Sequence, residues 1–133
     1  MRFVRNILNS KKCYKWFAKE TVGSFSWLEA RDYCRYVETT GDLVSITSEP
    51  IQKLMESLIN STDPISCWMG ASKVSGSYVW SDGSPWGYVP SATVIDNSKP
   101  NGVGGALELT GGLGMWMFYP PAENSRNGLI CQY

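Results

Sequence analysis

The sequence contains no histidine and carries no net charge, since twelve lysine and arginine residues balance twelve aspartate and glutamate residues. Imidazole is the commonest metal ligand and the commonest general base near neutral pH. Its absence excludes serine–histidine and cysteine–histidine catalysis and zinc sites built on imidazole. A nucleic-acid binder normally shows a clustered basic surplus, so we expect no nucleic-acid partner. A zero net charge also favours association over repulsion, and a homodimer is a further expectation.

Long hydrophobic runs are missing as well. No apolar stretch approaches the ~20 residues that a membrane helix needs, and residues 1–8 are too short and too charged for the apolar core of a signal peptide. We therefore predict no membrane span in this chain, while a leader or anchor removed from it is left open. The 133 residues are 43% hydrophobic and 18% charged, which is typical of one globular domain and not of a disordered or fibrous chain.

No two of the four cysteines have the C-x-x-C spacing. The sequence therefore gives little support for a zinc site or for a thioredoxin-type redox site. Cysteines scattered across a small domain favour two long-range disulfides and an oxidising compartment. Four buried thiols are the alternative. Asn60-Ser61-Thr62 is an N-glycosylation acceptor sequence, and it agrees with a secreted or extracellular protein.

Two helices are predicted in the first half of the chain. Ser26 and Glu29 have the spacing of a capping box, and an apolar stripe at intervals of three and four follows as far as Val37, with Gly41 as the stop. Ser48 is a second N-cap, followed by a helix with an apolar face.

After Pro64 the sequence changes to short strands and turns. The predicted strands are Cys67–Ala71, Tyr78–Trp80, Leu107–Leu109, Met115–Tyr119 and Leu129–Cys131. Residues 84–105 are rich in glycine, proline and asparagine and form a predicted long irregular loop, a feature that is usually functional. Helices followed by mostly antiparallel strands indicate an α+β fold.

Six motifs in this order resemble the C-type lectin-like domain. They are Cys13-Tyr14, Ser26-Trp27-x-x-Ala30-x-x-x-Cys34, Asp42-Leu43-Val44-Ser45-Ile46, Trp68-Met69-Gly70-Ala71, Gly76-x-x-x-Trp80-x-Asp82-Gly83-Ser84 and Ile130-Cys131. The resemblance implies a domain over residues 13–133 with an amino-terminal extension over residues 1–12. It also implies that Trp68 and Trp80 are core residues.

The resemblance further implies a disulfide between Cys34 and Cys131. The family's other inner disulfide would join positions near Ala106 and Glu123, and neither is cysteine. Cys13 and Cys67 are then left over, and we expect them to bridge each other. Two buried thiols, or an intermolecular bond through Cys13, are the alternatives.

The calcium ligands of the sugar-binding members are replaced in this chain. In those members a tripeptide of the long loop supplies ligands, and the matching residues here are Lys99-Pro100-Asn101. The acidic ligand expected shortly before Glu108 is replaced by Gly104-Gly105. The Asn-Asp pair expected after the later tryptophan, here Trp116, is replaced by Met117-Phe118. Calcium takes about six to eight oxygen ligands, and an ammonium group repels it. We therefore expect no metal, no cofactor and no calcium-dependent sugar binding.

The predicted function is that of a non-catalytic recognition module of the kind used at cell surfaces and in immunity. It would bind a protein ligand, or a glycan without calcium, through the surface of the long loop. The candidate contact residues are Trp86, Tyr88, Asp96, Asn97, Lys99, Asn101 and Phe118. Burial beneath the loop is the competing interpretation for the three aromatic residues.

Three other functions are weaker alternatives. Glu108 and Glu123 are a conceivable acid–base pair, but their spacing carries no catalytic signature. A copper oxidase on a related-looking fold would need reduced, metal-bound cysteines. A structural role, in a matrix, a shell or ice binding, is neither supported nor opposed by composition.

Overall fold

A computed structural model of the chain describes residues 4–9, 12–60, 63–90, 95–96, 101–110 and 113–133. These ranges contain three helices and nine strands. The elements are β1 (Val4–Asn9), β2 (Lys12–Ala18), α1 (Lys19–Val22), α2 (Trp27–Val37), β3 (Asp42–Leu43), α3 (Glu49–Leu58), β4 (Ile65–Val74), β5 (Ser77–Trp80), β6 (Ile95–Asp96), β7 (Gly104–Thr110), β8 (Leu113–Tyr119) and β9 (Gly128–Gln132).

The strands form one mixed sheet in the order β1-β2-β9-β4-β7-β8-β6, with β3 paired to β9 and β5 paired to β4. Most pairs are antiparallel, and β4–β9 and β6–β8 are the parallel ones among the described strands. The sheet places β2 beside β9, the last strand of the chain, and β1 lies at one end of the sheet. The predicted α+β class is confirmed.

Within the predicted amino-terminal extension, Val4–Asn9 pairs with β2 in register from Val4 opposite Phe17 to Asn9 opposite Lys12. These residues therefore lengthen the same sheet. The predicted boundary between residues 12 and 13 falls inside β2.

The two predicted helices are confirmed together with their caps. The Ser26 hydroxyl accepts from the Glu29 amide at 3.3 Å, and the Ser26 amide donates to the Glu29 carboxylate at 2.9 Å, which completes the capping box. The Ser48 hydroxyl accepts from the Ile51 amide at the start of α3. The four-residue α1 was not predicted. No helix among the described residues is long and apolar enough to cross a bilayer.

Two clusters of buried side chains form the core. One includes Met55 of α3, Trp80 and Trp116, and the other includes Cys34 of α2 and Trp68. Trp68 and Trp80 are 1% and 3% exposed, which confirms both as core residues.

The disulfide between Cys34 and Cys131 is present and joins α2 to β9, with 5.5 Å between the two Cα atoms. This confirms the pairing that the resemblance implied. The expected Cys13–Cys67 bridge is wrong, because both residues are free thiols. Cys13 lies on β2 and Cys67 on β4, and β9 lies between these strands. Two strand spacings amount to about 9–10 Å, which exceeds the Cα separation of about 7 Å that a disulfide can span.

Candidate functional site

The long loop starts at a tight turn after β5. Gly83 has a φ of 84°, in the left-handed region that glycine adopts without steric cost. The Asp82 carboxylate accepts hydrogen bonds from the Ser84 amide at 2.9 Å and from the Gln132 side chain at 2.8 Å. These bonds fix the root of the loop to the end of β9.

Beyond the turn, Trp86 holds the loop against the sheet. Its ring centroid lies 5.2 Å from that of Tyr78, 4.9 Å from Trp80 and 5.5 Å from Trp116. Tyr88 lies at the edge of this group, 6.3 Å from Trp116. Aromatic pairs in such stacked and edge-on arrangements contribute beyond their buried area. We call Tyr78, Trp80, Trp86, Trp116 and Phe118 the aromatic stack.

The structure corrects the role of Phe118. Its side chain is 1% exposed and packs on Tyr78 at 5.1 Å, so it cannot contact a ligand and belongs to the core. Trp86 is half-buried and packs against the core cluster, so its ring mainly anchors the loop. Tyr88 is half-buried at the margin of the stack and is the aromatic candidate best placed to contact a ligand.

The remaining predicted contact residues are only partly described. Asp96 lies in β6, whose backbone runs parallel to β8 with Asp96 opposite Met117. Asn101 is exposed and has a φ of 59°, a conformation that asparagine tolerates better than most residues. Asn97 and Lys99 lie outside the described residues. The exposed Asn60 belongs to the predicted glycosylation sequence, whose Ser61 and Thr62 also lie outside them.

Helix α3 contributes a set of polar residues beside the loop. The Tyr88 hydroxyl donates to the Glu49 carboxylate, and burial together with this carboxylate raises the pKa of Tyr88. Lys53 forms ion pairs with Glu49 at 3.8 Å and with Glu56 at 3.5 Å. Together with the exposed Val89, these side chains form what we call the loop–helix surface. We define it as residues 85–89 with Glu49, Lys53 and Glu56.

A buried amide supports this surface from below. Gln52 is 1% exposed; its side-chain oxygen accepts from the Trp116 indole at 3.0 Å, and its nitrogen donates to Glu56 at 2.7 Å. The amide therefore connects the aromatic stack to the charged face of α3. Since both of its polar ends are paired, it fixes the position of Glu56.

Sequence reasoning missed Glu49, Lys53 and Glu56 as site residues. An acidic residue in the first turn of a helix is favourable in itself, so the position of Glu49 gives no signal of a binding role. The spacing of the three residues places them on one helix face, but the element that this face meets is set by tertiary packing. The sequence carries no signal that Tyr88 reaches Glu49.

The positions that hold calcium in sugar-binding members do not fit that ion here. Of Asn101, Gly104, Gly105, Met117 and Phe118, only Asn101 carries a side-chain oxygen. The glycines and Phe118 are buried. In the described part of the chain, no three histidine, cysteine, aspartate or glutamate side chains form a group that could hold a metal ion.

The two carboxylates of the enzyme alternative lie around one guanidinium. Arg126 forms ion pairs with Glu108 at 3.0 Å and with Glu123 at 3.3 Å. Hydrogen bonds from Ser125, with further help from Arg126, hold the pKa of Glu123 below its usual value. A general acid needs a raised pKa, so this arrangement is typical of a structural ion pair network.

Comparison with known proteins identifies the family. The model of the lectin C-type domain matches residues 23–133, so the chain belongs to the C-type lectin domain family. The low affinity immunoglobulin epsilon Fc receptor of the mouse is 36% identical in an alignment of 110 residues that covers 80% of this chain and 29% of that receptor. The chain therefore spans less than a third of the length of this relative.

Solved structures share the fold. The C-type lectin CEL-I from Cucumaria echinata has a TM-score of 0.73 at 22% identity and covers 96% of this chain and 93% of its own. The carbohydrate-recognition domain of cow CD23, solved in the presence of a GlcNAc2Man3 oligosaccharide, has a TM-score of 0.71 at 24% identity and covers 96% and 92%.

Proposed function

We propose that this chain is a non-catalytic, extracellular recognition module that binds a protein ligand without calcium through the loop–helix surface. The observation that carries the proposal is the Trp86 anchor. It packs the start of the long loop onto the core through three aromatic contacts of 4.9–5.5 Å. Val89, Glu49 and Lys53 remain exposed beside the half-buried Tyr88. A rigidly held surface of this kind loses little entropy on binding.

The loss of oxygen donors supports calcium independence. Lys99 puts an ammonium group into the loop tripeptide, and Met117 and Phe118 offer no hard donor. Calcium binding requires several carboxylate or carbonyl oxygens around one point. The aromatic stack, which consists of the protein's own side chains, holds the start of the loop against the core.

Charge and composition of the surface favour a protein ligand. Tyr88 supplies an aromatic edge with a polar end, and Glu49 and Lys53 supply charges of both signs. Aromatic anchors surrounded by polar residues are typical of protein interfaces. Among the relatives, one is named as a receptor for an immunoglobulin Fc and another was solved with an oligosaccharide, so a glycan is the second candidate.

An extracellular location agrees with the Cys34–Cys131 disulfide, because disulfides persist in oxidising compartments. The family relationship points the same way through the receptor and lectins that the chain resembles. Binding of either ligand class in this compartment would take place in the presence of millimolar calcium, so independence must be tested with a chelator.

Arrays of extracellular protein domains and of glycans, probed with the labelled chain in EDTA, test the proposal. We expect signals on the protein array that persist in EDTA, because no contact depends on a cation. Glu49→Gln combined with Tyr88→Phe should weaken them about tenfold, as expected for interface hot spots.

Lys19→Gln, which changes a charge on α1 away from the loop–helix surface, is the matched control and should bind like the parent. Signals confined to glycans and dependent on added calcium would contradict the proposal. Equal binding by the double variant and the control would show that the loop–helix surface is not the binding surface.

A further inference from the structure

The chain contains two Asn-Gly dipeptides, Asn101-Gly102 and Asn127-Gly128. In such a pair the backbone nitrogen of the glycine can attack the side-chain amide carbon of the asparagine, because glycine has no Cβ to hinder the approach and has wide conformational freedom. The reaction needs an asparagine side chain that can turn toward this nitrogen and a backbone that can adjust. Since the two dipeptides are chemically alike, the fold decides which of them reacts.

The fold holds the second dipeptide firmly. The Asn127 side-chain oxygen accepts from the Ser66 amide at 2.8 Å, the Asn127 amide donates to the Ser66 carbonyl at 2.6 Å, and the Asn127 carbonyl accepts from the Lys19 amide at 2.8 Å. Gly128 is buried in β9, and a Cβ at this position would lie 2.2 Å from the Phe17 carbonyl oxygen. Attack on the Asn127 side chain would require these contacts to break.

The first dipeptide lacks these restraints. Asn101 is exposed, and its side chain forms no hydrogen bond within the described ranges. Gly102 is half-buried and lies outside the strands, just before β7. The next residue, Val103, is fixed: its amide donates to the Tyr119 carbonyl and its carbonyl accepts from the Lys73 amide, both at 2.8 Å. The dipeptide can therefore rearrange while the sheet beside it stays paired.

We propose that Asn101 is a site of spontaneous covalent modification that converts this position into aspartate and isoaspartate. The Gly102 nitrogen forms a bond to the side-chain carbonyl carbon of Asn101, the bond from that carbon to Nδ2 breaks, and ammonia leaves with the proton of the Gly102 amide. Water then adds to one of the two carbonyl groups of the cyclic imide and opens the ring. Opening at the side-chain carbonyl gives aspartate. Opening at the main-chain carbonyl gives isoaspartate, in which the backbone runs through the former side chain.

The modification changes the surface at the end of the long loop. A carboxyl group at this position is ionised at neutral pH, so a chain with twelve basic and twelve acidic residues gains one negative charge. The new carboxylate lies at an exposed position. The isoaspartate form also lengthens the main chain by one carbon just before β7. Freshly made and aged protein therefore present different surfaces to a partner.

Peptide mapping by mass spectrometry during incubation at physiological pH and temperature tests the proposal. The rate at each site in the chain unfolded by urea, with its disulfide reduced, is the reference and corrects for neighbouring residues. We expect Asn101 in the folded chain to convert at close to its reference rate and to give separate aspartate and isoaspartate peptides. Asn127 should convert at least about tenfold more slowly than its reference, because its hydrogen bonds have to open first.

Asn101→Gln is the matched variant, because a glutamine side chain has to close a larger ring and reacts more slowly. Ion exchange should resolve the aged parent into a neutral and an acidic form, and Asn101→Gln should lose most of the acidic form. The proposal fails if folding slows Asn101 as much as Asn127, or if the aged variant is as acidic as the aged parent. Ligand binding takes no part in this experiment, so the result is independent of the function proposed above.

Discussion

Replacing Cys34 and Cys131 together by alanine is expected to lower the free energy of unfolding by about 4–5 kcal/mol. The two cysteines are 97 positions apart in the sequence, and a cross-link between distant residues restricts the unfolded chain most strongly. For a domain of this size the loss corresponds to a fall in Tm of roughly 15 °C. Chemical denaturation of the double variant and of the parent measures the difference directly.

Cys13→Ser is the control for this experiment. Cys13 is a partly exposed free thiol on β2, so its replacement should change the unfolding free energy by less than about 0.5 kcal/mol. Peptide mapping without reductant should recover the Cys34–Cys131 pair and free thiols at Cys13 and Cys67. A double variant as stable as Cys13→Ser, or a mapped Cys13–Cys67 peptide, would contradict the structure.

Trp116→Ala is expected to cost about 4–5 kcal/mol of unfolding free energy. The indole is fully buried and contacts Trp80 and Trp86 at centroid distances of 5.4 and 5.5 Å. Its loss also leaves the buried Gln52 oxygen without the indole donor, and an unsatisfied buried acceptor costs about 1–3 kcal/mol. Urea denaturation of the variant gives the value.

A double-mutant cycle tests whether Trp116 helps to hold Trp86, and with it the loop, against the core. Trp86→Ala and Trp116→Ala should couple by about 1 kcal/mol, since the rings are in direct contact. Trp116→Phe keeps much of the packing and should cost markedly less than Trp116→Ala. A cycle with no coupling would mean that Trp86 does not anchor the loop through Trp116.

Local signals in the sequence were sufficient to predict α2, α3 and the five strands β4, β5, β7, β8 and β9. The Ser26 capping box and the Ser48 N-cap each depend on residues three positions apart, so short-range hydrogen bonding determines them. The six spaced motifs predicted the family, and the family pattern predicted the disulfide between Cys34 and Cys131. Each of these inferences needed either a short span of chain or a known family pattern.

The role of Phe118 could also have been predicted correctly. Trp116 and Phe118 lie two positions apart in β8, and alternate residues of a strand share one face. If Trp116 is read as a core residue, Phe118 follows it into the core. The prediction failed because Phe118 was assigned by its alignment with a calcium ligand instead of by its place in the strand.

Other features are tertiary and leave no trace in a single sequence. Contact between Tyr88 and Glu49 joins positions 39 residues apart. A polar cleft near the carboxyl end of α2 combines the start of β2, the residues after α2 and the end of β9. The separation of Cys13 from Cys67 follows from the insertion of β9 between their strands. Sheet order of this kind is decided by the packing of the whole domain.

The attachment of the long loop is the central physical feature of this chain. Trp86 buries itself among aromatic side chains, and Asp82 is tied to Gln132 at the loop root. Residues 84–90, the described start of the loop, are held in place by the protein's own side chains. We therefore expect changes in calcium concentration to leave the stability of the domain unaltered.

The most direct test is the Tm of the parent chain in about 5 mM calcium and in EDTA. The account predicts the same Tm in both, within the error of the measurement. If the chain held calcium with a Kd near 50 μM, mass action would add about 2.7 kcal/mol of stability, which is a rise of roughly 8–10 °C. A saturable rise of that size, with a shift of the Asn101 amide resonance, would contradict recognition without calcium.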